Sequence, residues 1–192
     1  LKNSDLGFKK EQVMVIDVPG GDSTLVQRLS VIKQKLLQNP NVLQVSNSYS
    51  IPAEVANRTL VLMEQDGKMV EKTIDNIAVD YDFIPVMGIE MQAGRNFSRD
   101  MKTDEKQGII INEAAARWLG WNDPIGKKIE TGEEEIVGDN SARVIGVVKD
   151  FHMSSLHTDV QPLAIRLVPQ SPGYLLARIA PEDQTSTVSF IE

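Results

Sequence analysis

The two histidines of the chain lie close together, and each has an acidic residue nearby. His152 and His157 fall within 151–158, with Asp150 before this segment and Asp159 after it. Imidazole and carboxylate groups bind metals and carry protons, so the segment is a candidate metal site or proton relay. A spacing of five residues does not place both imidazoles on one helical face, and the third ligand that a catalytic zinc needs is not evident. We therefore favour an exposed connecting loop and expect no metal or other cofactor.

Two further segments have the composition of binding sites. The turn at 19–24, Pro-Gly-Gly-Asp-Ser-Thr, lies between a predicted strand and a predicted helix, where phosphate-binding loops are found. It lacks the lysine of a P-loop, and Asp22 would repel a phosphate, so a tight turn with a helix cap explains it better. The acidic run at 133–135, with Asp139 nearby, lacks the alternating oxygen ligands of a calcium loop. We expect a solvated loop tip there.

The sequence also lacks the common motifs of hydrolases. It contains no G-x-S-x-G elbow and no H-E-x-x-H pattern. The sequence therefore contains no motif for a nucleophile or a zinc centre of these kinds. We predict no catalytic residue and a protein that is not an enzyme.

Two tryptophans around a predicted helix end are candidates for contact with a partner. Trp118 and Trp121 offer large apolar surfaces of the kind that dominates protein interfaces. Packing in the core is the simpler interpretation, because large aromatic side chains are mostly buried. We expect Trp118 to pack in the core of the middle segment and Trp121, next to Asn122 and Asp123, to be partly exposed.

The composition is that of an ordinary folded domain, with 41% hydrophobic and 24% charged residues among 192. A net charge of −7 argues against a nucleic-acid partner, because phosphate backbones are bound by clustered lysine and arginine. The absence of cysteine excludes disulfides and thiolate metal sites. No stretch approaches the ~18 apolar residues of a membrane span, and the start does not look like a signal peptide. Because the chain begins without methionine, we expect an excised or processed piece of a longer protein.

The two ends of the chain predict strand–helix units. A β-branched run at 13–18 is followed by apolar residues with helical spacing as far as Leu36, and then by a strand at 42–49. A βαβ unit of this kind returns beside its first strand through a right-handed crossover, so we expect these two strands to be neighbours. A second unit begins with a strand at 174–179 and a helix from 185. We expect the chain to end inside this unit, because no return strand follows.

The segment between these units begins with a predicted β-hairpin. Its strands, 58–64 and 69–79, are joined by Asp66-Gly67, a dipeptide that tolerates the positive φ of a tight turn. A short helical turn and a strand at 89–93 follow, and the polar run at 96–107 predicts a mobile surface loop.

The remaining middle segment predicts four strands and one helix. A buried strand at 109–111 leads into a helix at 113–119, which Asn112 caps and Gly120 ends. Further strands are predicted at 127–131, 142–149 and 162–168.

The chain resembles the MacB-like periplasmic domain of FtsX-type ABC transporter permeases, in the form common in Bacteroidota. No single motif is diagnostic, but the ordered combination is specific and spans nearly the whole chain. The matching stretches are LGFKKEQV at 6–13, VDYDFIPVMGI at 79–89, AGRNF at 93–97, INEAA at 111–115, LGW at 119–121, DPIGK at 123–127 and VIGVVKDFH at 144–152.

The resemblance implies an α+β fold with two lobes. One is a porter-like α/β lobe, similar to the modules of multidrug efflux pumps, formed by 1–78 and 159–192 and truncated at its C-terminal end. The other is a smaller, mostly β lobe inserted at 79–158. The resemblance carries over no catalytic, cofactor-binding or metal-binding residue.

The resemblance also implies a location and a set of partners. The domain is expected outside the cytoplasmic membrane, between two transmembrane helices of a permease. Its expected partners are the rest of the permease, an ABC ATPase subunit reached through the membrane part, a periplasmic adaptor protein and a second permease copy. It would couple ATP-driven movement to these partners or to a substrate in export or another envelope process, through lobe surfaces and the 96–107 loop.

Two other functions compete with this interpretation. A soluble module could bind a peptide, lipid or drug in a cleft between the lobes, because clefts of this kind often hold ligands. A metal-dependent hydrolase could use His152 and His157, but the ligand count does not favour it.

Overall fold

The computed structural model describes residues 12–18, 23–51, 57–131, 141–152, 159–170, 173–181 and 184–191. Its strands are β1 (Val13–Asp17), β2 (Val42–Ser48), β3 (Asn57–Gln65), β4 (Lys68–Val79), β5 (Met91–Gly94), β6 (Gly108–Asn112), β7 (Lys128–Thr131), β8 (Ser141–Val148), β9 (Leu163–Leu167) and β10 (Tyr174–Ile179). Its helices are α1 (Ser23–Leu36), α2 (Phe83–Met87), α3 (Asp104–Gln107), α4 (Glu113–Leu119) and α5 (Gln184–Ile191). The α+β class predicted from the sequence is confirmed. None of the helices in these ranges is long and apolar enough to cross a bilayer.

The two ends of the chain form a three-stranded antiparallel unit in the order β1-β10-β2. The prediction that β2 lies directly beside β1 was wrong, because β10 lies between them. The apolar residues of β10 explain its central place: Leu175 and Ala177 face one side of the sheet and Leu176 the other, and all three are buried. We call β1, β10, β2, α1 and α5 the α/β unit.

Helix α1 covers one face of this sheet. Leu29 and Leu36 are buried against Val45 of β2 and Leu175 of β10. Their spacing of seven residues places both on one helical face, so the predicted amphipathic helix is confirmed. Ile191 of α5 packs against the same apolar cluster.

Six of the remaining strands close into a ring. The pairings run β4-β3-β7-β8-β6-β9 and return to β4 through the parallel pair of β4 and β9. Each of the six strands contributes apolar side chains to one buried cluster, which is therefore the interior of the ring. The strand residues are Val61, Met63, Ile74, Ile109, Ile111, Ile129, Val144, Val147 and Ala164. We call this ring and α4, which packs into the same cluster, the barrel.

The predicted hairpin is confirmed as β3 and β4, with Gln65 paired to Lys68. Asp66 and Gly67 have φ values of 51° and 75°, as a two-residue hairpin turn of this type requires. Strand β3 pairs with β7, and β9 pairs with β6, so strands from both predicted lobes share the ring. Where the lobes divide remains a prediction.

The run at 96–107, which its polar composition predicts as a mobile surface loop, contains buried side chains and is held by Arg95 directly before it. We call Arg95 and this run the 95–107 segment. Phe97 is 6% exposed and Asp104 only 2%. The Arg95 guanidinium binds both oxygens of Asp104, at 2.7 and 2.8 Å, and the Ser98 amide donates to the same carboxylate at 2.9 Å. The prediction was wrong because the partner that buries Asp104 lies nine residues earlier, at the end of β5.

Close packing explains why residue 146, in the motif at 144–152, is a glycine. The Arg95 amide donates to the Ile145 carbonyl at 3.0 Å, and the Arg95 carbonyl lies 2.3 Å from where a Cβ of residue 146 would stand. Gly146 is therefore required where the segment crosses β8.

Candidate functional site

Asp150, one of the two acidic residues beside the histidines, holds helix α4. The Asp150 carboxylate accepts from the Ala114 amide at 2.7 Å and from the Arg117 guanidinium at 2.5 Å. This pairing raises the pKa of Arg117 above its ordinary value. His152 is half-buried and Asp159 exposed, whereas His157 lies outside the described residues. Over the part of the chain that the structure describes, no group of three metal-binding side chains forms.

Asn112 fixes the same end of this helix, as its predicted capping role requires. Its Oδ1 accepts from the amides of Ala115 and Leu163, at 3.0 and 2.9 Å, and its Nδ2 donates to the Gln161 carbonyl at 2.9 Å. Gly120 ends the helix with a φ of 67°, which confirms the second predicted signal. The motifs around 112 and 150 therefore position α4 against the ring of strands. The predicted turn at 19–22 and the acidic tip at 133–139 lie outside the described residues.

The tryptophans have the reverse of the predicted exposures. Trp121 is 8% exposed and donates from Nε1 to the Glu64 carbonyl at 2.6 Å, whereas Trp118 is 38% exposed. The Lys72 ammonium lies 4.9 Å from the centre of the Trp118 ring. A sequence signal for this was present, because an apolar residue directly after a C-terminal glycine commonly packs back onto its own helix. The Trp121 amide makes the matching hydrogen bond to Ala116.

The junction between the α/β unit and the barrel has a buried carboxylate at its centre. Asp80 is 3% exposed and follows directly after β4. It accepts from Ser46 Oγ at 2.6 Å, from the Asn47 amide at 3.1 Å and from the Asp82 amide at 3.0 Å. Lys33 of α1 forms an ion pair with it. Sequence reasoning missed this site because Lys33, Ser46 and Asn47 lie more than 30 residues from Asp80 along the chain.

A second carboxylate extends this site towards the surface. Asp82 receives two hydrogen bonds from the Arg99 guanidinium, at 3.1 and 2.6 Å, and lies 3.3 Å from Lys33 Nζ. Burial raises the pKa of Asp82, but the Arg99 hydrogen bond and the charges of Lys33 and Arg99 outweigh it, so the pKa is lowered. Lys33, Ser46, Asp80, Asp82 and Arg99 together form what we call the junction network.

Tyr81 belongs to the same turn and faces the 95–107 segment. Its hydroxyl donates to Glu105 at 2.8 Å, and the Arg99 guanidinium lies 4.8 Å from the centre of its ring. Burial and the hydrogen bond to Glu105 raise the pKa of Tyr81 to about 12. The tyrosine is therefore a neutral donor at physiological pH.

A small apolar surface lies on the outside of the barrel. Leu60 and Leu62 of β3 and Met69 of β4 point to the same side of the hairpin and are 52%, 39% and 38% exposed. Glu71 and Glu130 lie opposite Leu62 on the two neighbouring strands. Exposed apolar side chains with a polar rim are typical of contact sites. We call Leu60, Leu62 and Met69 the hairpin face.

Comparison with solved structures shows the same fold in three transporter proteins. The periplasmic region of MacB from Actinobacillus actinomycetemcomitans is 15% identical, with a TM-score of 0.61 over 96% of this chain and 82% of the other. A domain of a putative permease from Porphyromonas gingivalis is 18% identical, with a TM-score of 0.53 over 92% and 77%. The extracellular domain of the non-canonical ABC-type transporter YknZ from Gram-positive bacteria is 18% identical, with a TM-score of 0.56 over 91% and 88%.

No curated protein matches the sequence. The model of the MacB-like periplasmic core domain family matches residues 5–190, which is nearly the whole chain. The resemblance found in the motifs is thereby confirmed. The chain belongs to the MacB-like periplasmic core domain family and is an extracytoplasmic domain of an ABC transporter permease.

Proposed function

We propose that this domain couples ATP-driven movement of its transporter to partners or substrate outside the cytoplasmic membrane. The family match over 5–190 carries the proposal, because domains of this family belong to ABC transporter permeases with a membrane part and an ATPase. The domain itself would work by contact and movement rather than by chemistry.

The way in which three carboxylates of the fold are bound supports a mechanical role. Asp80, Asp104 and Asp150 each bind backbone amides and a basic side chain. Arg95 lowers the pKa of Asp104 by its hydrogen bond, which outweighs burial, so this carboxylate stays ionised. Groups held in this way position elements of the fold, whereas a catalytic acid or base needs access to a substrate.

Two surfaces are suited to contact with a partner. One is the hairpin face, and the other is the 95–107 segment, where Met101 is 46% exposed. A periplasmic adaptor protein and a second permease copy are the partners we propose for them. The membrane part of the permease would hold the domain, and the ATPase would act on it from the cytoplasmic side.

The coupling can be tested in the full-length permease, reconstituted with its ATPase in lipid nanodiscs. A spin label at Lys35→Cys on α1, an exposed position, reports the separation of the domains of two permease copies. We expect the distance distribution to differ between the ATP-bound and nucleotide-free states. A distribution that is the same in both states, in a preparation with full ATPase activity, would contradict the proposal. A label on the membrane part serves as the positive control.

The ligand-binding alternative makes a different prediction. A ligand bound between the lobes should stabilise the isolated chain, by about 2.7 kcal/mol at 100 times its dissociation constant. Thermal unfolding with peptides, lipids and transported drugs therefore separates the two functions, because a coupling domain gains no such stability from them.

A further inference from the structure

The main-chain link between the α/β unit and the barrel is narrow. In the described residues, β2 and β4 pair only at Ser48 and Val79. Two flanking hydrogen bonds join Tyr49 to Ala78, at 2.9 Å, and Asp80 to Asn47, at 3.1 Å. A short ladder of this kind would act as a hinge if it were the only connection, because few residues need to change their backbone angles.

The junction network closes this hinge. We propose that it locks the α/β unit to the barrel, so that the two move as one rigid body. The lock is a property of this chain alone and does not depend on the proposed coupling function. If that function is correct, the lock lets a displacement of one region reach the other without loss at the junction.

Asp80 binds elements of the α/β unit through both of its carboxylate oxygens. One of its oxygens accepts from Ser46 and from the Asp82 amide, and the other accepts from the Asn47 amide and contacts Lys33. The donors come from β2, from α1 and from the turn before α2. Opening the junction would separate a 3% exposed carboxylate from donors on β2 and α1. A buried charge that loses its partners is strongly unfavourable, so opening is opposed.

A second connection leads from Asp82 to the barrel. Lys33 contacts both Asp80 and Asp82, and Asp82 binds Arg99. Arg99 lies in the 95–107 segment, which is fixed to β8 by the hydrogen bond from the Arg95 amide to Ile145. The ion pairs as far as Arg99, followed by the main chain from Arg99 to Arg95 and this hydrogen bond, therefore connect α1 to the barrel by a route separate from the β2–β4 ladder.

The junction network differs in its physical character from the apolar contact beside it. Leu176 of β10 packs into one cluster with α2 and with the outer side of β9. Apolar contact is non-directional and permits small shifts, whereas hydrogen bonds to a charged group fix distance and angle. The network would thus set the orientation of the two regions, and the apolar cluster would hold them together.

Hydrogen exchange of the 192-residue chain tests the lock directly. The amides of Asn47, Tyr49, Asp80 and Asp82 are the reporters, because each makes a hydrogen bond at the junction. In Asp80→Asn and Lys33→Met, we expect these amides to exchange on the order of tenfold faster, while those of β6 change by less than about twofold. Arg58→Met is the matched control, because it breaks an exposed ion pair with Asp75 within the barrel.

Arg99→Met provides a milder variant in case the buried changes prevent folding. It removes only the outer link, so we expect about a threefold acceleration at the same amides. An equal acceleration in the barrel and at the junction would overturn the proposal, because the network would then stabilise the fold as a whole. No acceleration at the junction in any of the three variants would also overturn it.

A distance measurement gives an independent readout. Because the chain has no cysteine, Lys35→Cys on α1 and Thr73→Cys on β4 place two unique spin labels, one in each region. We expect one narrow distance distribution in the parent chain and a broader one in Lys33→Met. A distribution of the same width in both would overturn the rigid-body proposal, whatever the permease does with ATP.

Discussion

The α/β unit and the barrel bury their apolar side chains in different ways. The α/β unit is an open three-stranded sheet, covered on one face by α1 and α5 and built from the two ends of the described chain. The barrel is a ring whose strands pair all the way round, and most of it comes from the continuous stretch between β3 and β8. A closed ring leaves no strand edge for unwanted pairing. The α/β unit has a less enclosed core and depends on contacts between distant parts of the sequence.

This difference predicts where the chain opens first. Segments with exposed backbone hydrogen bonds and few buried contacts open at a lower cost than enclosed cores. We therefore expect the α/β unit to exchange its amide hydrogens sooner than the barrel. Mutations in each region test this contrast.

The largest effect is expected at the end of α4. Replacing Trp121 by alanine removes an 8% exposed side chain and its hydrogen bond to Glu64, so the free energy of unfolding should fall by about 3–5 kcal/mol. Trp118→Ala is the matched control. It removes a 38% exposed ring, and its effect should stay near 0.5 kcal/mol. Urea denaturation measures both, and equal losses would contradict the assignment of Trp121 to the barrel core.

A core change in the α/β unit should have a more local effect. Leu175→Ala empties part of the cluster under α1 and should cost about 2–5 kcal/mol. Hydrogen exchange should show the loss in α1, β1, β10 and β2, with β6 and β8 protected as before. Ile111→Ala, in the barrel interior, is the counterpart and should expose both regions. If the two variants gave the same exchange pattern, the regions would unfold as one cooperative unit.

The cap of α4 should contribute less than these core residues. Asn112→Ala removes three hydrogen bonds and leaves buried amides unpaired, at an expected cost of about 1–3 kcal/mol. Asn122→Ala, at an exposed position three residues after α4 ends, should be nearly neutral. Thermal unfolding compares them. A neutral Asn112→Ala would mean that Asp150 alone fixes the helix.

The sequence predicted the local features of both regions better than their assembly. The turn at Asp66-Gly67 and the cap at Asn112 follow from residues that are neighbours in the chain, and both are confirmed. The place of β10 between β1 and β2 could not be predicted this way, because a strand's apolar pattern does not identify its neighbours. The junction network was missed for the same reason. Lys33 and Asp80 are ordinary surface residues by type, and only the fold brings them together.

Acid should weaken the barrel side of the molecule slightly. The pKa of Asp104 is lowered by the hydrogen bond from Arg95, so its ion pair contributes stability above the unfolded value of about 3.9. This stability is lost as the pH falls through the lower folded value. The loss should be about 1 kcal/mol or less, because Arg95 is 39% exposed. In Arg95→Met, stability should change less between pH 5 and pH 3, and an unchanged slope would contradict this role.

A small effect on stability and a large one on association are expected at the hairpin face. Leu62→Glu changes a 39% exposed residue but places a like charge opposite two glutamates, so the isolated chain should lose about 1 kcal/mol or less. In the full-length transporter, the same change places a third carboxylate beside Glu71 and Glu130 and should weaken binding of the adaptor or second copy. Gln34→Glu, at an exposed position of α1, adds the same charge and serves as the control. Titration of the purified partner should separate the two variants, and equal affinities would place the contact elsewhere on the domain.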